Sequence, residues 1–168
     1  IVGPLHAETI PPQRLLEVTD LGNPAISPDG RYVAFRSERA SVARNTYDST
    51  WYVQSLDGKA PPLRVADGGV PLFQYVNGTV LPSPAMWSPD GKWILYQDCL
   101  YGSDPGHDWS DVCIGRPDGT EHRVLTSGQT MWFAATYGDP KTRGGGSNLP
   151  EWTPDGQILF PRRLPGSA

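Results

Sequence analysis

The chain has 168 residues, a formal net charge of −4 and a pI near 5.2, so it lacks the basic field that binds nucleic acid through counterion release. Its 19 glycines and 18 prolines exceed a fifth of all positions and exclude a helical bundle or coiled coil, while 38% hydrophobic residues, six Trp among them, supply a core and exclude a disordered chain. No apolar run approaches the about 18 residues that span a membrane, and Ile1-Val2-Gly3-Pro4 opens the chain without a leader pattern, as expected once an export signal has been removed.

Residues 1–19 read as an N-terminal extension in which only Pro12 to Val18 suits a short helix. Residues 20–69 form a first repeat. A short strand, Pro24-Ala25-Ile26, leads into the turn Ser27-Pro28-Asp29-Gly30 and then the strand Arg31-Tyr32-Val33-Ala34-Phe35. Proline presets φ at the second position of a type I turn, Asp bonds its own backbone, and Gly suits the fourth place. A second turn, Asp57-Gly58, joins the strand Trp51 to Leu56 to the strand Leu63 to Ala66.

Between the second and third strands an insertion is expected from Arg39 to Ser49. Arg36, Arg39, Arg44 and Tyr47 lie on or beside it, where the loops of repeat folds often meet ligands. They are the candidates for contact with a peptide; ordinary salt bridging and solvation is the alternative.

Residues 70–83 read as an insertion between repeats. Asn77-Gly78 stands at the tip of a small hairpin there, which already explains the glycosylation sequon Asn77-Gly78-Thr79.

Residues 84–128 repeat the first unit: Ala85-Met86-Trp87, the turn Ser88-Pro89-Asp90-Gly91, the strand Lys92 to Tyr96, and a second turn at Asp118-Gly119. Asp57 follows Asp29 by 28 residues and Asp118 follows Asp90 by 28, an offset hard to obtain by chance. Trp87, Trp93 and Trp152 are expected as packing residues.

Cys99 and Cys113 bracket a loop between adjacent strands. In an oxidising compartment a bridge closing it is worth about 3 kcal/mol in the chain-entropy model; two free buried thiols are the alternative. Inside the loop, Asp104, His107, Asp108 and Asp111 match no strong metal motif and read as a solvated acidic loop, so no metal or cofactor is expected.

Residues 129–148 form a Gly-rich connection. Gly144-Gly145-Gly146-Ser147-Asn148, near Lys141 and Arg143, lacks the Lys-Ser/Thr ending of a phosphate loop. Residues 149–168 begin a third repeat, with Trp152 before the turn Thr153-Pro154-Asp155-Gly156.

The strands read as continuously apolar, as when both faces of a sheet are covered. The sequence therefore predicts an all-β fold: a β-propeller fragment of two four-stranded antiparallel blades plus the first half of a third. A closed propeller needs about four to eight blades, so the expected partners are copies of this chain, three of which give seven blades, or a missing domain.

At its Ser-Pro-Asp-Gly turns the chain resembles TolB-like propellers and the propellers of the prolyl oligopeptidase family. Arg14-Leu15-Leu16-Glu17-Val18, Leu21 to Gly30, Glu38 to Ser49 and Val65 to Leu72 are more narrowly similar to lasso peptide isopeptidases. That resemblance covers Pro11 to about Gln97. It implies a periplasmic or secreted two-domain serine hydrolase whose propeller restricts access to a separate α/β-hydrolase domain. From about Asp98 the chain is more similar to other bacterial TolB-like propellers, a change that a chimaera or engineered fragment would explain.

Catalysis on an α/β-hydrolase needs Gly-x-Ser-x-Gly with Asp and His following. Gly145-Gly146-Ser147-Asn148-Leu149 lacks the closing glycine and has no His after it. A non-catalytic module, substrate-restricting or peptide-recognising, is the expected function, with a self-assembling scaffold as the alternative.

Overall fold

The computed structural model describes residues 11–69, 84–100, 109–126 and 149–160. The expected insertion at 70–83, most of the acidic loop, the Gly-rich connection and the last eight residues lie outside them. The described chain is all-β, with antiparallel sheets and one four-residue helix, α1 (Pro12–Leu15), shorter than the sequence suggests.

A first meander consists of β1 (Thr19–Ile26), β2 (Tyr32–Ser41), β3 (Thr46–Ser55) and β4 (Leu63–Gly69), each antiparallel to the next. A second consists of β5 (Met86–Trp87), β6 (Ile94–Leu100), β7 (Trp109–Gly115) and β8 (His122–Val124), and β9 (Glu151–Trp152) with β10 (Ile158–Leu159) adds a hairpin. The ladders of the two meanders are joined by one parallel backbone pairing among the described residues, Gly69 opposite Cys99.

Five hairpin turns share one design. In the first, Gly30 adopts φ 70° and its N–H donates to the Ser27 carbonyl at 2.9 Å, closing a type I turn that ends in the left-handed region. The Ser27 hydroxyl donates to Asp29 at 2.6 Å and accepts the Tyr32 amide at 2.9 Å, tying the turn to the strand it launches. Ser88 does the same for Asp90 and Trp93, and Thr153 for Asp155 and Gln157. Gly58 and Gly119 take the same positive φ in the second turns.

The expected insertion after β2 is a continuation of the ladder. Pairing between β2 and β3 runs unbroken from Tyr32↔Ser55 to Ser41↔Thr46, and a 3-10 turn, Val42–Arg44, reverses the chain. Asn45 at φ 50° ends that turn, a left-handed residue of the kind Asn tolerates.

The second meander buries both faces, which explains its unbroken apolar strands. Ile94, Tyr96 and Cys113 join a core with Ala34, Trp51, Val53 and Ala66 of the first meander. Leu95, Val112 and Ile114, one residue out of phase, join a second core with Trp152, Ile158 and Phe160. Alternate side chains of one strand thus serve two seams, and each large apolar side chain so buried contributes about 1.5–3 kcal/mol.

The strand register does not bring the two cysteines together. Cys113 pairs with Tyr96 and Cys99 with Ser110, so the cysteines sit three residues apart along the ladder. That is about 10 Å, beyond the roughly 7 Å Cα separation a disulfide can bridge. Cys113 is a buried free thiol.

Candidate functional site

The repeats meet in a regular way. Trp87, just before the second meander's Ser-Pro-Asp-Gly turn, donates its indole N–H to the Ala25 carbonyl of β1 at 2.9 Å. Trp152, at the same place in the third repeat, donates to the Met86 carbonyl of β5 at 3.0 Å. Ala25 and Met86 both stand two residues before their own turns, so one bond is made twice, from each repeat to the one before it. The sequence marks these tryptophans as packing residues; their N–H groups are donors as well. Trp93 instead lies under two guanidinium groups, Arg116 at 3.8 Å and Arg123 at 5.1 Å from the ring centre.

At the turn end of the first seam, a cleft of about 840 Å³ opens between the Pro28-Asp29 and Pro89-Asp90 turns, floored by Tyr32, Val53 and Leu63. Its rim charges are matched internally. Arg31 bonds Asp29 at 2.6 Å, Lys92 lies 3.3 Å from Asp90, and Arg116 lies 3.4 Å from Glu121. Hydrogen bonds hold two rim carboxyls far below their ordinary range: Ser27 first and Arg31 next bring Asp29 to about 2, and Ser88 with the Lys92 amide brings Asp90 to about 2. These groups stay ionised through the neutral range and serve as braces for the turns, leaving an apolar floor within a neutralised rim. A second cleft of about 560 Å³ lies between the Pro89-Asp90 and Pro154-Asp155 turns, beside Trp93 and Trp152.

The candidate peptide contacts do not converge. Arg36 is not beside an exposed insertion: the ladder carries it into the first seam, where it is 4% exposed, pairs with Glu38 and stands 5.7 Å from the Trp51 ring. Arg39, opposite Asp48, and Tyr47, opposite Ala40, lie further along the same hairpin, toward the end remote from the cleft, and both are exposed. Arg44 ends the reversing turn, and its side chain is outside the described residues.

Sequence reasoning missed the seam tryptophans as donors and the first-position hydroxyls of the turns. Both were signalled by position: Trp immediately before two of three turns, and Ser or Thr opening all three. Burial, with nearby Asp98 and Asp111, pushes the Cys113 thiol up to about 12, which keeps it protonated and unreactive. Among the described residues no group of three or more His, Cys, Asp or Glu is placed to hold a metal.

The class that this architecture defines is an all-β chain of repeated antiparallel units joined by indole-to-carbonyl bonds. No family model matches the chain. It is homologous to the lasso peptide isopeptidase AtxE2 of Asticcacaulis excentricus, being 28% identical over 110 residues, which cover 54% of this chain and 16% of that protein. Two solved structures of the AtxE2 isopeptidase agree. One, a serine-to-alanine variant with Astexin3-dC4 bound, superposes with TM-score 0.59 at 25% identity over 70% of this chain. The other, without ligand, matches in fold with TM-score 0.60 at 24% identity over 71%. The chain spans about a fifth of those structures.

Proposed function

We propose that this chain is a non-catalytic β-propeller module, the part of a periplasmic lasso peptide isopeptidase-like protein that recognises or restricts a threaded peptide. The observation that carries this reading is the homology to AtxE2, which is confined to about a fifth of that protein and falls on all-β repeats. The two meanders are blades of this propeller, and β9 with β10 begins a third. Peptide contact falls to the β2–β3 hairpin, through Arg39, Arg44 and Tyr47, while Arg36 is occupied in the seam.

Calorimetric titration with a threaded lasso peptide and with its opened, linear form tests the reading. The chain is expected to bind the threaded form, to lose about fivefold or more in affinity on joint replacement of Arg39 and Tyr47 by alanine, and to leave the isopeptide bond intact by mass spectrometry. Binding of neither form, or release of opened peptide, would contradict it.

One observation favours the alternative of a scaffold closed by copies of itself: Leu21 and Ile26 of β1 are both 64% exposed, an apolar edge that a neighbour would cover. Ile26, however, occupies the position of Trp87 and Trp152, so a seam made there by a second copy would lack the indole bond. Light scattering separates the readings, since a trimer has three times the 18.3 kDa of one chain.

A further inference from the structure

The bond between repeats is accepted at one register position each time. Ala25, which accepts the Trp87 indole, pairs with Ala34 across its hairpin, and Met86, which accepts the Trp152 indole, pairs with Leu95. Glu151 pairs with Leu159 in the same way, two residues before its own turn. Its carbonyl holds, in the third repeat, the place of the two acceptors.

The side chains opposite these three positions differ in cover. Ala34 is 1% exposed, in a core against which Trp87 packs, and Leu95 is 0% exposed, in a core against which Trp152 packs. Leu159 is 60% exposed. The residue before it, Ile158, packs back on the core of Leu95, just as Ile94 packs back on the core shared with the first meander. Successive strand residues point to opposite faces, so Leu159 points away from the second meander. The hairpin thus presents half of a seam: an acceptor position and an apolar side chain whose counterparts are both covered by the tryptophan of the next repeat.

We propose that the outer face of the β9–β10 hairpin, centred on Leu159 and the Glu151 carbonyl, docks a further β-repeat that carries Trp immediately before its turn. The inference rests on the reading of the meanders as propeller blades and goes beyond it by naming what the partner must bring. A carbonyl has two lone pairs, and the indole N–H can only donate, so the acceptor selects a donor side chain. The indole ring also supplies the large apolar area that covers Leu159. An unaltered second copy of this chain brings the wrong residue, because Ile26 stands where Trp87 and Trp152 stand and has no side-chain donor.

Supplying the missing donor tests this on the full chain. Ile26 is 64% exposed, so a larger ring is accommodated there without disturbing the core. Ile26→Trp is expected to tighten self-association about fivefold or more over the wild type, the value of one added hydrogen bond, as read by light scattering across a concentration series. Ile26→Phe, which adds a ring without a donor, is expected to fall short of that gain, and adding Leu159→Asp to Ile26→Trp is expected to abolish it. A Trp variant no tighter than the wild type or the Phe variant would overturn the proposal, because the face would then not select an indole. Tightening that survives Leu159→Asp would overturn it too, by placing the contact elsewhere. Either failure is separate from that of the peptide-binding reading, which calorimetry with the threaded peptide decides.

Discussion

The two seams of this molecule are stitched alike and filled differently. In each, a Trp before the turn donates its indole proton to a carbonyl of the preceding repeat. Behind that bond, the seam between the second meander and the β9–β10 hairpin is filled by Leu95, Val112 and Ile114 against Trp152, Ile158 and Phe160. The seam between the meanders sets Arg36, Ser49 and Tyr96 among its apolar neighbours, Arg36 paired with Glu38 and the Ser49 and Tyr96 hydroxyls without a hydrogen-bond partner. The comparison separates two jobs. The indole bond links each repeat to the one before it, and the filling decides whether a seam is apolar throughout or carries buried polar groups.

The largest effect that sharpens this contrast is expected in the apolar seam. Leu95 is fully buried, and Leu95→Ala should cost about 2–5 kcal/mol, read by urea unfolding; a loss under about 1 kcal/mol would mean that the seam is loosely filled. In the polar seam, Gly68→Ala pushes a methyl group against Trp51 Nε1 and should cost about 1–3 kcal/mol. A stabilising result would show that the bulge is slack.

Smaller and shared by both seams is the stitch itself. Trp87→Phe and Trp152→Phe each remove one indole donor and should cost about 1 kcal/mol apiece, measured one at a time because Trp152 bonds the carbonyl next to Trp87. Unequal losses would break the equivalence of the two seams.

The smallest effect lies at the turns. Asp29 and Asp90 are lowered from the ordinary 3.8 to about 2 by their hydrogen bonds. A depressed folded value gives stability that is present above pH 3.8 and is lost as pH falls toward 2. Since both groups are exposed, the expected result is a shallow acid limb in the unfolding midpoint, flattened in the Asp29→Asn, Asp90→Asn double variant. An identical limb in wild type and variant would remove these carboxylates from the account.

Much of the architecture was legible because turns are local. Pro28-Asp29-Gly30, Pro89-Asp90-Gly91 and Pro154-Asp155-Gly156 specify their own backbone, and the apolar runs after them announced burial on two faces. What crosses between repeats was less legible. The indole of Trp87 finds its acceptor 62 residues away, and composition cannot distinguish a packing ring from a donor. Arg36 reads as a loop residue only if β2 ends early; the ten-pair ladder that buries it follows from β-rich sequence on both arms of the hairpin. The cysteine pairing failed for a related reason, since two positions on adjacent strands meet only in the right register, and the register places Tyr96 opposite Cys113.

The account rests on the two stitches being formed and equivalent, and native-state hydrogen exchange of the indole protons tests this most directly. Trp87 and Trp152 N–H are predicted to exchange only through global unfolding, with the same free energy as the amides of Ile94 and Leu95 between them. Exchange of either indole at the rate of a solvent-exposed tryptophan, while those amides stay protected, would contradict it.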